Sequence, residues 1–148
     1  MTEQWLSEPI SAFGAMFLLS FAAGSVLPFG SEWLYVLLLS QGALAAPLWL
    51  TATAGNTLGG WFTWWLGQRG RLWYEQHRSL PRGWLTASAL FRRYGVWSLV
   101  LSWVPVIGDL LVMMAGASGT PRGLSLLLMA LGKGLRYALI IVLWEAAA

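Results

Sequence analysis

Apolar stretches along this chain stop and restart at short polar breaks instead of alternating with a polar face. Ile10 to Val26 is apolar and uncharged, and Pro28-Phe29-Gly30-Ser31-Glu32 follows as a breaker cluster ending in an acid. Trp33 to Leu39 is apolar again and ends near Gln41-Gly42. Pro47 suits the first turn of a helix, where its missing N–H costs nothing. It opens the run Leu48 to Leu66, whose 19 residues are enough to span a bilayer at roughly 1.5 Å per residue. A polar stretch broken by Ser79-Leu80-Pro81 predicts two short helices. The second, Leu85 to Tyr94, can lie flat on a membrane with Leu85, Ala89 and Phe91 toward the apolar side. Gly95 to Val104 is apolar but ten residues long, Pro105-Val106-Ile107-Gly108-Asp109 breaks it, and Leu110 to Ala117 is equally short. Neither piece spans a hydrocarbon core of roughly 30 Å alone. Pro121 opens the last run, Gly123 to Trp144, which is interrupted by Lys133 and Arg136.

Composition turns this pattern into a membrane protein. Apolar residues make up 57% of the 148 and charged residues 10%, against roughly 25% charged in a soluble domain. Such a chain lacks the polar groups to cover a water-facing surface. Its 11 Trp suit the membrane boundary, where the ring is apolar and the N–H stays wet. Cysteine is absent and His77 is the one histidine, in a polar stretch without other ligands, so no metal and no cofactor is expected. The N-terminus has no basic region of the kind that opens a signal peptide.

Charge is placed unevenly. Arg69, Arg71, Arg78, Arg82, Arg92 and Arg93 lie between Gly67 and Tyr94 against the single acid Glu75, while the first 31 residues carry only Glu3 and Glu8. By the positive-inside rule this connector, about 68–94, is cytoplasmic. Its flanks are too apolar for a soluble nucleic-acid-binding domain.

The two halves match at one offset. Pro28 and Pro105, Glu32 and Asp109, Gly42 and Gly119, Gly55 and Gly132, and Leu58 and Leu135 are each 77 positions apart. One membrane domain is expected, with one repeat at about 9–67 and a second at about 95–145. Each half reads as helix, Pro–Gly–acid break, short helix, glycine and spanning helix. If each is a re-entrant hairpin plus one transmembrane helix, it crosses an odd number of times, and the second half is inverted relative to the first. The fold class expected is therefore an all-α integral membrane protein of two inverted-topology repeats joined by an amphipathic connector. Such repeats place a site near the midplane, at broken helices. Four ordinary spanning helices with Pro kinks are the competing arrangement, and Ile10 to Leu27 is long enough for it. The expected breaks are at Pro28, Gly30, Pro105 and Gly108.

Glu32 and Asp109 are acids in apolar surroundings, where an isolated carboxylate costs several kcal/mol or stays protonated. Each suits a proton carrier or a counter-charge; Glu32 alternatively caps the short helix after it. Lys133 and Arg136 lie one turn apart on one face of the last helix, too deep for easy snorkelling. Paired with either acid they would be neutralised, and together they suit a phosphate. Asn56 can satisfy a hairpin's free backbone groups. Gly55 and Gly59 form a small-xxx-small pair best read as helix packing.

Together, these residues resemble the DedA family of bacterial membrane proteins, which share the VTT domain, and most of all its short YqaA-type branch. The segments that carry the likeness are Pro28 to Glu32, Gly55 to Gly67, Phe91-Arg92-Arg93-Tyr94-Gly95, Ser102 to Asp109, Ala115-Gly116 and Gly132 to Tyr137. They cover almost the whole chain. The resemblance implies two facing re-entrant hairpins and a flippase or scramblase in the inner membrane. It also implies undecaprenyl phosphate or phospholipid as cargo, and dependence on the proton-motive force. Glu32 matches the family's acid after the first hairpin turn. The broader family carries two arginines flanking the second hairpin's proline, and Trp103 and Asp109 stand there in this chain. Lys133 and Arg136 are the remaining deep cations for an anionic headgroup.

The leading expectation is thus a lipid translocase whose partners are membrane lipids, anionic headgroups above all. A proton-coupled exporter of small cations, using Glu32 and Asp109, and a non-transporting assembly factor are the alternatives. An enzyme is not expected, for no nucleophile–base pair is visible. A bundle this small is compatible with a homodimer.

Overall fold

The computed structural model describes residues 9–25, 30–76, 84–104 and 107–147. Among these the chain is all-helical. It forms α1 (Pro9–Gly24), α2 (Glu32–Ser40), α3 (Ala45–Gln76), α4 (Trp84–Tyr94), a 3₁₀ helix (Gly95–Trp103), α5 (Ile107–Ala117) and α6 (Arg122–Ala147). Pro28, Pro105, Arg78 and Arg82 lie outside the described residues, and so does the side chain of Arg71.

Of the expected breaks in the described residues, Gly30 lies between α1 and α2, whereas Gly108 lies inside the first turn of α5, because that helix already starts at Ile107. Val104 is extended (φ −73°, ψ 126°), as the residue before a proline tends to be, because the ring clashes with a helical predecessor. α2 stops in a turn where Gly42 N–H bonds Leu39 O and Ala43 N–H bonds Leu38 O. Gly42 takes φ +85° there, the left-handed residue that closes a helix by this pair of bonds. α5 ends by the same bonds, from Gly119 to Gly116 and from Thr120 to Ala115, with Gly119 at φ +69°.

One boundary differs from expectation. α3 does not end near Leu66 but runs on to Gln76, so Arg69 and Arg71 are helical and the connector's first part is a helical extension. No proline stops it, and Gly67 and Gly70 weaken the helix without ending it. α3 has 32 residues, or about 48 Å at 1.5 Å per residue. Among the described residues, α6 is the one helix both long and apolar enough to cross a membrane by itself. In α3 the polar Thr51, Thr53, Asn56, Thr57 and Thr63 dilute the apolar run. α2 and α5, with 9 and 11 residues, reach about 13 and 16 Å, well short of a crossing.

α3 and α6 run antiparallel through the middle of the molecule. Moving down α3, Trp49 meets Gly134, Asn56 meets Lys133, Gly60 meets Met129 and Trp64 meets Thr120, so one number rises as the other falls. Two cores flank this crossing. Met16, Tyr35, Leu38, Leu48, Ala52 and Tyr137 form one. Trp64, Leu99, Leu111, Val112, Leu128 and Met129 build the other, with Ala87 from α4. In α4 it is Ala87, Leu90 and Phe91 that turn onto this core, whereas Leu85 and Ala89 lie on the open face.

Candidate site at the crossing of α3 and α6

The site begins with glycine. Gly55 and Gly59 on α3 lie against the Phe17 and Phe21 carbonyls of α1, and Gly24 of α1 lies against the Asn56 carbonyl. With no Cβ in the way the two backbones touch, and α1 becomes a wall for one side of α3. On another side Gly60 opens room for the stem of Lys133: a methyl group there would come within 3.0 Å of its Cε.

Into that room α6 sends Lys133, 2% exposed. Its Nζ donates to Asn56 Oδ1 at 2.6 Å. Asn56 is buried too, and its Nδ2 donates to Tyr137 Oη at 3.1 Å. Tyr137 Oη in turn shares a 2.5 Å hydrogen bond with Ser31 Oγ, at the start of α2. A line of buried polar groups therefore runs from α6 through α3 and back through α6 to the first break. The ring of Tyr35 packs on that of Tyr137 with centroids 5.0 Å apart.

Lys133 is the chemically unusual member. An ammonium has three donors, and one hydrogen bond is seen for it among the described residues. No carboxylate forms an ion pair with it among those residues, although Asp109 acts on it electrostatically. A buried charge with a neutral amide as its partner is costly unless a further group compensates it.

One turn on, Arg136 forms an ion pair with Glu32, the first residue of α2. Both side chains keep partial access, at 25% and 32%. Glu32 thus spends its carboxylate on Arg136, and Ser31, the residue before the helix, makes no side-chain capping bond. Gly30 leaves space for that carboxylate, since a Cβ there would meet Glu32 Oε2 at 2.5 Å.

Asp109 stands at the matching place in α5, in its first turn and half-buried. Among the described residues it forms no ion pair. Gly108 beside it packs on the Ser102 carbonyl at the end of the 3₁₀ helix. Ser102 Oγ is buried with no hydrogen-bond partner among the described residues.

The structure brings together Glu32, Asn56, Lys133 and Arg136, and sets Asp109 at the edge of the group. The basic surface lies apart from them. Arg69, Arg92 and Arg93 are exposed, Arg69 over the Trp65 ring at 5.1 Å and Arg93 over Tyr94 at 5.4 Å. Sequence reading passed over Tyr137 as a site residue. The signal for it was present, because Tyr137 is four residues from Lys133 and so on the same helix face. It likewise passed over Gly60, whose role depends on what faces it.

The chain is 38% identical over 142 residues to "Inner membrane protein YqaA" of Escherichia coli (strain K12), over 91% of this chain and 92% of that protein. The protein of that name in Shigella flexneri matches equally, at 38% over 142 residues. An uncharacterized protein of Haemophilus influenzae is 37% identical over 138 residues, covering 86% of this chain and 84% of its own. No family model matches the chain, and no solved structure matches it. Identity of this order over nearly the full length of both chains, with a helical, apolar architecture, has one reading: the chain belongs to the YqaA family of bacterial inner membrane proteins.

Proposed function

We propose that this protein moves an anionic lipid across the bacterial inner membrane, and that the crossing of α3 and α6 is the polar step on the path. The observation that carries this reading is Lys133, a buried amine whose one hydrogen bond among the described residues is to a neutral amide, with Asp109 acting on it without forming an ion pair. A phosphate headgroup supplies the missing negative charge, and Arg136, one turn away with partial access, supplies a fork that can hand the headgroup on. Apolar tails stay in lipid while the headgroup crosses.

The fold supports the reading. α2 and α5 are too short to span, and irregular backbone at membrane depth is tolerated where protein or a watery cavity satisfies it. Two inverted repeats account for the recurrences at 77 residues, including the paired helix ends of α2 and α5 and the antiparallel run of α3 and α6. In this topology the hairpins are re-entrant from opposite leaflets and the connector is cytoplasmic. The resemblance to the DedA family points the same way, with undecaprenyl phosphate or phospholipid as cargo and dependence on the proton-motive force; in this scheme Glu32 and Asp109 are the acids that exchange protons. No bond of the lipid is made or broken in this scheme.

Lipid translocation in proteoliposomes tests it, with fluorescent undecaprenyl phosphate and phospholipid compared for wild type, Lys133→Met, Arg136→Ala and the surface control Arg93→Ala. Transport lost in the first two variants and retained in Arg93→Ala establishes the path. Equal activity in all four sinks the site assignment. No lipid transport by folded protein, together with proton release driven by an organic cation and abolished in Glu32→Gln, establishes cation exchange instead.

A further inference from the structure

The two short helices differ in how they are held. α5 lies directly on α3: Gly116 packs against the Trp64 carbonyl and Gly67 against the Met113 carbonyl. These are backbone-to-backbone contacts that leave no slack. At the 77-residue offset the corresponding positions in α2 and α6 are Leu39 and Trp144. Neither position is a glycine, so the backbone-to-backbone contact of α5 on α3 has no counterpart at these places in α2 and α6.

Burial shows the same difference independently. Seven of the 11 residues of α5 are buried, Gly108, Leu110, Leu111, Val112, Met114, Ala115 and Gly116. Of the nine residues of α2, only Tyr35 and Leu38 are buried, while Trp33 is 63% exposed and Leu37 43%. What fastens α2 to α6 is a set of side-chain contacts: the Glu32–Arg136 ion pair, the Ser31–Tyr137 hydrogen bond, the Tyr35–Tyr137 ring contact and the apolar cluster that Tyr35 and Leu38 share with Tyr137. Position 136 has a glycine, Gly59, as its counterpart at the same offset, so α3 has no cation at the place that would repeat this fastening on α5.

We infer that the two hairpins have different mechanical roles: α5 is a fixed wall set on α3, and α2 is a latch, closed on α6 by Glu32–Arg136 and Ser31–Tyr137. When the ion pair parts, α2 swings and the buried line from Ser31 to Lys133 opens at its Ser31 end. Close-packed backbones have one arrangement, whereas an element held by a few side-chain contacts is drawn from the low-stability end of a fold. The inference concerns motion and stands whatever the cargo is.

The natural absence of cysteine makes the test direct. Spin labels at Ser40→Cys and Leu127→Cys report α2 against α6. Labels at Ala117→Cys and Leu50→Cys, each displaced by the same offset, report α5 against α3. In lipid nanodiscs the α2–α6 distance distribution is expected to be two-peaked or at least about twice as wide as the α5–α3 distribution. Arg136→Ala and, separately, Glu32→Gln are expected to shift the first distribution to its longer distance. The second pair, measured in each variant, stays narrow and shows that the protein is folded. Equal widths in wild type, no response of the α2–α6 pair to either substitution, or movement of both pairs together overturns the inference.

Discussion

Lys133 and Asn56, which stand 77 positions apart in the chain, are joined by a 2.6 Å hydrogen bond at its buried centre. That separation is the offset at which the two halves of the sequence match. Residues related by a two-fold axis touch only near that axis, so in the proposed inverted repeat this bond would lie at the axis. Its flanking contacts agree: Asn56 bonds Tyr137 while Lys133 packs on Gly60, and these are each other's counterparts at the same offset.

Removing the partner of a buried charge costs more than removing the charge. Asn56→Ala leaves the Lys133 ammonium without its acceptor and is expected to cost about 2–4 kcal/mol of stability. Lys133→Met, of similar length and apolar, orphans only the neutral Asn56 Oδ1 acceptor and is expected to cost less, about 1 kcal/mol. Thermal unfolding in detergent checks the order, and Asn56→Ala melting at or above Lys133→Met refutes it.

Glu32 and Arg136 are expected to behave as one unit. Glu32→Gln and Arg136→Gln each weaken the closed first hairpin, and together they cost no more than either alone. Their coupling is expected at about 1 kcal/mol, because both side chains keep solvent access. A double-mutant cycle on the thermal midpoint measures it, and strict additivity refutes it.

Glycines that look alike in sequence should respond in opposite directions. Gly116→Ala drives a methyl into the Trp64 carbonyl and is expected to destabilise by more than about 2 kcal/mol. Gly14, inside α1, has nothing within 4 Å of an added Cβ. Gly14→Ala is therefore expected to stabilise by about 0.5–1 kcal/mol. Unfolding of the two variants side by side decides it.

Gly42 and Gly119 close α2 and α5 by equivalent bonds at positive φ. Each substitution to Ala forces an L-residue into the left-handed region at a cost of about 1–2 kcal/mol. Comparable losses are expected in the two variants, and a loss confined to one of them would show that the two turns do not carry equal weight.

The sequence by itself determined the elements and the class. Low charge and long apolar runs require a lipid environment, since no polar face is left for water. Pro and Gly fix where helices stop, because a ring blocks continuation and a left-handed turn needs no Cβ. The acids at the first turns of α2 and α5 and the cations on α6 were legible for the same reason, as charges where none is cheap. What only tertiary structure decided is which of these groups meet. Its place midway along the last apolar run says that Lys133 is deep but not that Asn56 and Tyr137 receive it, because contacts across α3 and α6 depend on the crossing. The continuation of α3 to Gln76 rested on the absence of a stop, a weaker signal than a stop itself. The unequal seating of α2 and α5 was hidden as well. A glycine in sequence states that space is available, and only the packed fold states what fills it.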